Sequence, residues 1–177
     1  MVPPAASSSP SRPPIDGEVF RRVLSRFPTG VVAVTGVADG EAAGFTVGSF
    51  MSVSLDPPLV AFGVSHDSTT WPRIRPSGSF CVNVLSEEQE ALCRVFATKG
   101  SDRFRDVDWV PAPTGSPIIH GCLAWIDCDL EAEHPAGDHD LVVGRVRDLG
   151  AREQAPGPLL FFARQFGGFR PLARTGS

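Results

Sequence analysis

The chain has 177 residues, 42% of them hydrophobic, and its 16 Lys and Arg against 20 Asp and Glu leave a net charge of −4. That length lets one domain bury a core without disulfides or metal, while the acid excess and the lack of any basic run argue against nucleic acid or an anionic membrane surface as partner. No apolar run is long enough for a membrane helix, so no membrane association is expected.

Residues 1–14 are rich in Pro, Ser and Ala and lack the apolar core of a signal peptide, which predicts a disordered tail. A second short tail is expected at 173–177, leaving one domain over 15–172. Asp16 is placed to cap a helix running through Phe27, with Val19, Phe20, Val23, Leu24 and Phe27 on one stripe. Pro28-Thr29-Gly30 breaks it. Val31 to Thr35 reads as a strand, and Asp39-Gly40 as a hairpin turn.

The next stretch, GFTVGSFMSVSLDPP from Gly44 to Pro58, is the most informative in the chain. Strand alternation predicts Phe45, Val47, Met51, Val53 and Leu55 toward a core and Thr46, Ser52 and Ser54 on the opposite wall, all on the second strand of the hairpin. Ser and Gly weaken a strand. They make sense where a flat polar ligand lies against the backbone and takes hydrogen bonds from hydroxyls and N–H groups. A Ser-rich turn between two barrel strands is the plainer alternative, and the stretch alone leaves both open.

Leu59 to Val64 is the next strand, ending in a second cluster of short polar groups, Ser65-His66-Asp67-Ser68-Thr69-Thr70-Trp71. Ser79 to Leu85 follows as a strand. Ser86 with Gln89 is a capping-box signature for a helix through about Ala97, with Leu92, Val95 and Phe96 inward. Residues 98–117 read as loop, two longer strands are expected near Gly121 to Glu133 and Asp140 to Leu149, and a last one at Leu159 to Phe162. Strands dominate, helices are few, and no βαβ rhythm with G-x-G-x-x-G is present, so a nucleotide-handling protein of this pattern is a β-barrel rather than a doubly wound sheet. Cys81, Cys93, Cys122 and Cys128 form no C-x-x-C pair, and the four histidines add no ligand spacing, so no metal site is expected and the thiols read as buried and free in a cytoplasmic protein.

The segments FPTGVVAVT, GFTVGSFMSVSLDPPLV, SFCVNVLSEEQ, DRF, GSPIIHGCLAWIDC, GDHDLVVGRV and PLLFF resemble, in this order, the flavin reductase-like family with the FMN-binding split-barrel fold. The resemblance covers about residues 18–169. It implies a mainly β protein with few helices, a split β-barrel of Greek-key type. Within the family the chain is most similar to the small reductase partners of two-component aromatic monooxygenases, which oxidise NADH or NADPH, reduce FAD or FMN and release reduced flavin to a separate oxygenase. Such proteins are typically homodimers.

What the resemblance implies for the site is residue-specific. Ala43, Gly44, Phe45, Thr46, Gly48 and Ser49 match the flavin-contacting strand, with Gly48 where the family often has Asn or Gln. Ser65, Thr69 and Thr70, joined by Ser68, match the loop that meets the ribityl and phosphate groups. Phe96 matches a position near the flavin, and Ser52 and Ser54 match an S-V-S that supports the same wall. Phe162-Ala163-Arg164 matches an F-Y-R segment associated with the nicotinamide nucleotide, lacking its central aromatic, and His139 matches a histidine on the nicotinamide side. For His139 the plain alternative is a loop histidine held by Asp138, for Arg164 a solvated strand-end charge, and for Phe96 a core residue. Lys99, Arg103 and Arg105 read as a solvated loop, the lesser alternative being that one reaches the flavin phosphate.

Hydride transfer between two stacked rings needs positioning rather than a nucleophile or acid–base pair, so no catalytic side chain is expected. Neutral N–H and O–H donors also favour the reduced ring, which gathers negative charge. A different class remains open at this point, a protein that holds FMN tightly for electron transfer or redox sensing. Oxidase chemistry on pyridoxine-type substrates finds no paired Arg and His set for a substrate phosphate.

Overall fold

A computed structural model of the chain describes residues 14–98, 100, 103–154 and 156–172. The expected tails therefore lie outside the described residues, apart from residue 14, and so does Lys99. The first element, α1 (Gly17–Leu24), is capped by Asp16, whose Oδ1 accepts from Glu18 N at 2.6 Å and Val19 N at 3.1 Å. Its apolar stripe faces outward, with Val19, Phe20, Val23, Leu24 and nearby Phe27 between 40% and 70% exposed. No α1 residue is buried.

After a two-residue β1 (Thr29–Gly30), strands β2 (Val32–Ala38) and β3 (Glu41–Val47) form a hairpin across Asp39 and Gly40. Both turn residues have positive φ, 54° and 81°, as the tight turns that match strand twist require. The chain then breaks at Gly48 to Phe50, and β4 (Met51–Leu55) pairs with β5 (Pro58–Ser65). This corrects the expectation of one continuous hydroxyl-bearing strand. Thr46 lies on β3 and Ser52 and Ser54 on β4, at opposite edges of the sheet. The expected core face fails over the same stretch. Phe45 is buried, but Met51, Val53 and Leu55 are exposed, Leu55 by 96%, because β4 is an edge strand with a register shift between Ser52 and Ser54.

The remaining main-sheet strands are β6 (Ser79–Val84), β9 (Ala124–Ala136) and β10 (His139–Ala151), giving the antiparallel order β3-β2-β6-β9-β10-β5-β4. Seven strands laid flat would separate the edges by about 29 Å at about 4.8 Å per spacing. Yet four Cα steps join the end of β3 to the start of β4, which span at most about 15 Å. The sheet must curl until its edges approach, and the outcome is a barrel split between β3 and the β4–β5 hairpin. Its interior is filled by Val34, Phe62, Phe80, Val82 and Val142, all fully buried. The short helix α2 (Trp71–Ile74) closes the interior with Trp71 and Ile74, and the Trp71 ring meets Phe62, Phe80 and Phe45 edge-on at centroid distances of 5.5, 5.8 and 6.3 Å.

On the outside of β2, α3 (Glu90–Ala97) packs Cys93 and Phe96 against Val31, Ala33, Leu85, Ile119 and Leu159. Ser86 N donates to Gln89 Oε1 at 3.0 Å ahead of this helix. Cys93 rather than the expected Val95 is the inward residue, and Val95 is exposed. The expected 98–117 loop contains β7 (Trp109–Pro111), which pairs with β8 (Pro117–Ile119). Polar ties rather than an apolar period hold this pair. Thr35 Oγ1 donates to Pro117 O at 2.6 Å, Ile119 N donates to Asn83 Oδ1 at 2.8 Å, and Thr114 donates from N and Oγ1 to the buried Asp127 carboxylate at 2.9 and 2.6 Å. Last come β11 (Leu160–Phe162) and an unanticipated β12 (Gln165–Gly167), which form a small sheet with β1.

Candidate functional site

A cleft of about 520 Å³ opens where the barrel is split, a volume in the range of small-molecule sites. One wall is the end of β3 and the turn after it, with Phe45, Thr46, Gly48 and Ser49. The other is the end of β5 and the following loop, with Gly63, Ser65, Ser68, Thr69 and Thr70. Phe96 at the end of α3 covers one side, and Arg103 and His139 complete the lining. Residues distant in the chain meet here because β3 and β5 are the elements flanking the split.

Several hydroxyls build the wall they line. Ser49 Oγ accepts from Gly63 N at 2.9 Å and donates to Gly63 O at 3.2 Å, taking the place of the next backbone pair in the β4–β5 ladder. Ser65 Oγ accepts from Asp67 N and Ser68 Oγ from Trp71 N, both at 3.2 Å, so each keeps its hydrogen as a donor. Burial pushes the Cys93 thiol behind the wall upward in pKa, against the opposing pull of a hydrogen bond from Thr46. Thr46 therefore touches both the cleft and the packing of α3. At Gly48 a Cβ would lie 2.8 Å from Thr29 Oγ1, so this chain has a threonine of β1 where a longer residue at 48 would begin.

His139 stands opposite Ser65 in the β5–β10 register, with Nδ1 2.7 Å from Asp138 Oδ1. That hydrogen bond holds the exposed Asp138 carboxyl below its usual range. With Asp138 on Nδ1, the far edge of the imidazole is left toward Gly63, to which His139 Cδ2 lies close. The other expected site residues divide. Ala43 is packed in the barrel core, and Gly44 reaches the site through its carbonyl alone. Ser52 and Ser54 lie on β4, outside the cleft lining. Phe162, Ala163 and Arg164 sit at the β11–β12 turn, where Ala163 and Arg164 have positive φ of 48° and 66°. Arg164 lies beside Arg21, Arg22 and Ser25 of the α1 region, and Phe162 beside Pro28 and Phe166, so within one chain this segment does not join the cleft.

Gly63 and Asp67 also line the cleft and were not expected there, and Arg103, expected as part of a solvated loop, lines it too. Arg103 donates from Nη1 to Gly44 O and to Thr70 Oγ1, both at 2.8 Å, instead of extending into solvent. The D-R-F motif was its signal, since Phe104 packs against Phe96 at 5.0 Å and so draws its neighbour over β3. The assembled chemistry is a set of hydroxyl and backbone donors with the Phe45 and Phe96 rings, the His139 imidazole, the Arg103 guanidinium and the Asp67 carboxylate, and among the described residues no nucleophile is set against a base. Among the described residues no group of His, Cys, Asp and Glu is arranged to hold a metal ion.

The flavin reductase like domain matches residues 24–170. The chain belongs to that family. A flavin reductase of Pseudomonas putida is 50% identical over 91% of this chain and 95% of its own length. The reductase subunit HsaB of a flavin-dependent monooxygenase from Rhodococcus jostii is 47% identical over 89% of this chain and 80% of its own. Among solved structures, nitrilotriacetate monooxygenase component B from Mycobacterium thermoresistibile superposes with a TM-score of 0.85 at 43% identity, over 90% of each chain. The split-barrel fold of the flavin reductase family is thus the fold of this chain. The cleft suits a flavin in its donor set: backbone and hydroxyl groups for the ring and ribityl chain, and a guanidinium beside the loop hydroxyls for a phosphate.

Proposed function

We propose that this protein is an NAD(P)H-dependent flavin reductase that passes hydride from NADH to FAD or FMN and supplies the reduced flavin to a separate monooxygenase. The observation that carries the reading is the cleft itself, a donor-lined slot at the barrel split, in a chain similar to named flavin reductases over nine-tenths of its length. Bound together, the two nucleotides supply all the redox chemistry, from the dihydronicotinamide C4 to the flavin N5. The chain's residues orient and exclude. Thr46 and the backbone of β3 face the flavin ring, Ser65, Ser68, Thr69 and Thr70 take its ribityl and phosphate end, and Phe96 shuts one side. His139, at the cleft rim opposite Ser65, receives the nicotinamide.

The resemblance to reductase components of two-component monooxygenases supports an oxygenase as the recipient of reduced flavin. Exposed apolar surface on α1 and β4 supports a homodimer, since contiguous patches of this kind mark protein contacts. No helix among the described residues is long and apolar enough to cross a membrane, and four buried free cysteines fit the cytoplasm.

Steady-state NADH oxidation with added FAD or FMN tests the reading. A reductase saturates with flavin and turns over many times. A flavin carrier would keep a stoichiometric yellow chromophore through dialysis and ignore added flavin, and that result would overturn the proposal.

A further inference from the structure

A glutamate of β9 faces the barrel interior. From Cys128 and Leu130, both packed with the core, strict alternation along the strand would aim Ala132 inward and Glu133 outward. The register shifts between them: Leu130 lies opposite Gly144 and Ala132 opposite Val143, so Glu131 is an extra residue and the parity reverses. Glu133 therefore stands opposite the fully buried Val142 and shares its face. Its side chain is 16% exposed and both oxygens are engaged, Oε1 accepting from Trp71 Nε1 at 2.8 Å and Oε2 from Arg75 Nε at 2.6 Å.

A carboxylate drawn out of water is no gain in stability over an apolar residue of similar volume. What it adds here is direction. The other neighbours of the Trp71 ring, Phe45, Phe62 and Phe80, meet it through edge-on apolar contacts, which fix its place less sharply than a hydrogen bond does. The cleft loop hangs on this residue. Trp71 N donates to Ser68 Oγ at 3.2 Å, and Arg73 N and Ile74 N donate to Thr70 O at 3.0 and 3.2 Å. Whatever holds the indole thus holds Ser68 and Thr70 relative to the β3 wall. We propose that Glu133 is a positioning residue for flavin binding: from outside the cleft, through the Trp71 indole, it sets loop 68–70 at the spacing from β3 that a bound flavin needs. The inference rests on the flavin-reductase reading and deepens it, naming a residue beyond the slot that fixes the slot's width.

Calorimetric titration of the full chain with FMN, together with the indole N–H resonance of Trp71, tests it. The proteins compared are the parent, Glu133→Gln, Glu133→Ala, Trp71→Phe, and Trp71→Phe combined with Glu133→Ala. The Trp71 signal is the one missing from the Trp71→Phe spectrum. Glu133→Ala should shift that signal in the flavin-free protein and weaken FMN binding about three- to tenfold. The KM for NADH should move by less than about twofold. Glu133→Gln keeps an acceptor for the indole without the charge and should recover most of the affinity. With Phe at 71 there is no N–H to hold, so removing Glu133 should change FMN binding by less than about a further twofold. A glutamate that only stabilised the fold would lower the melting temperature in Glu133→Ala and leave FMN affinity at its parent value, and that result would overturn the proposal. Equal losses in the Gln and Ala variants would overturn it too, as would an undiminished loss in the Trp71→Phe background. Should Glu133→Ala not fold, Glu133→Leu fills the volume without the acceptor and gives the same comparison. Because the readout is binding, a parent that binds FMN but fails to oxidise NADH would refute the reductase reading and leave the positioning test intact.

Discussion

Ser49 and Thr46 both present hydroxyls to the cleft, yet their replacement should read differently. Ser49 Oγ satisfies both backbone groups of Gly63, so Ser49→Ala should lower stability by about 1 kcal/mol, seen as a shifted denaturant midpoint. Thr46→Val keeps the shape packed against α3 and loses only the hydroxyl bond to Cys93, so it should move the midpoint less than Ser49→Ala does and weaken flavin binding by about 0.5–1.5 kcal/mol in a titration. His139→Ala should raise the KM for NADH with flavin affinity largely kept, and the reverse pattern would show that the two nucleotides had been assigned to the wrong sides. At this scale clustered short polar residues pointed to the cleft, Ser52 and Ser54 excepted, and the family resemblance added Phe96 and His139. Thr46, Ser49, Ser65, Ser68, Thr69, Thr70, Phe96 and His139 all meet at one cleft. The sequence left Arg103 as one charge among several in a loop-like stretch, because that stretch carries no periodicity and the anchoring of Arg103 depends on a carbonyl 59 residues away.

At the scale of elements, close approach and buried charge set the limits. Gly144 on β10 sits at a register shift, and a Cβ there would lie 2.4 Å from Phe80 Cζ, inside the aromatic cluster. Gly144→Ala should cost about 1–3 kcal/mol by overpacking, measurable in urea. Asp127 pins the segment before β8, and burial pushes its carboxyl above the usual range while its Thr114 hydrogen bonds pull the other way. A raised folded pKa means the native state holds the proton more tightly. The stability this group supplies is present below the unfolded carboxyl value of about 3.9 and is lost as pH rises through the folded value. Asp127→Asn keeps acceptor and donor for Thr114 without the charge, so melts from about pH 4 to about pH 8 should show less loss with rising pH than the parent. Strands with strong alternation or a clear turn, such as the β2–β3 hairpin, were legible beforehand. The β7–β8 pair was not, since prolines interrupt it and side chains of Thr35, Asn83 and Asp127 hold it.

The whole molecule is a barrel that never closes, and its function is read from where it stays open. β3 and β4, strands from one continuous sequence motif, become opposite edges of the sheet, a separation that strand alternation alone could not reveal because the break at Gly48 leaves the hydrophobic pattern uninterrupted. The outward stripe of α1 and the exposed β4 residues were legible as apolar but not as surface, for burial against a second copy and burial in a core give the same pattern. Light scattering should report a dimer, with an interface on the order of 1,600 Å² in total, and Phe20→Glu with Leu24→Glu should shift the mass toward the monomer if α1 lies in it. Trp71 adds a practical consequence. The indole is locked in place by its Nε1 bond to Glu133 at 2.8 Å, follows directly on Thr70, and stacks edge-on with Phe45 of the cleft wall. The chain has three tryptophans and no tyrosine. Its ultraviolet emission thus contains a fixed lamp one ring away from the flavin slot, and arrival and departure of the flavin should be readable as dimming and recovery of that light, turnover by turnover, without any label.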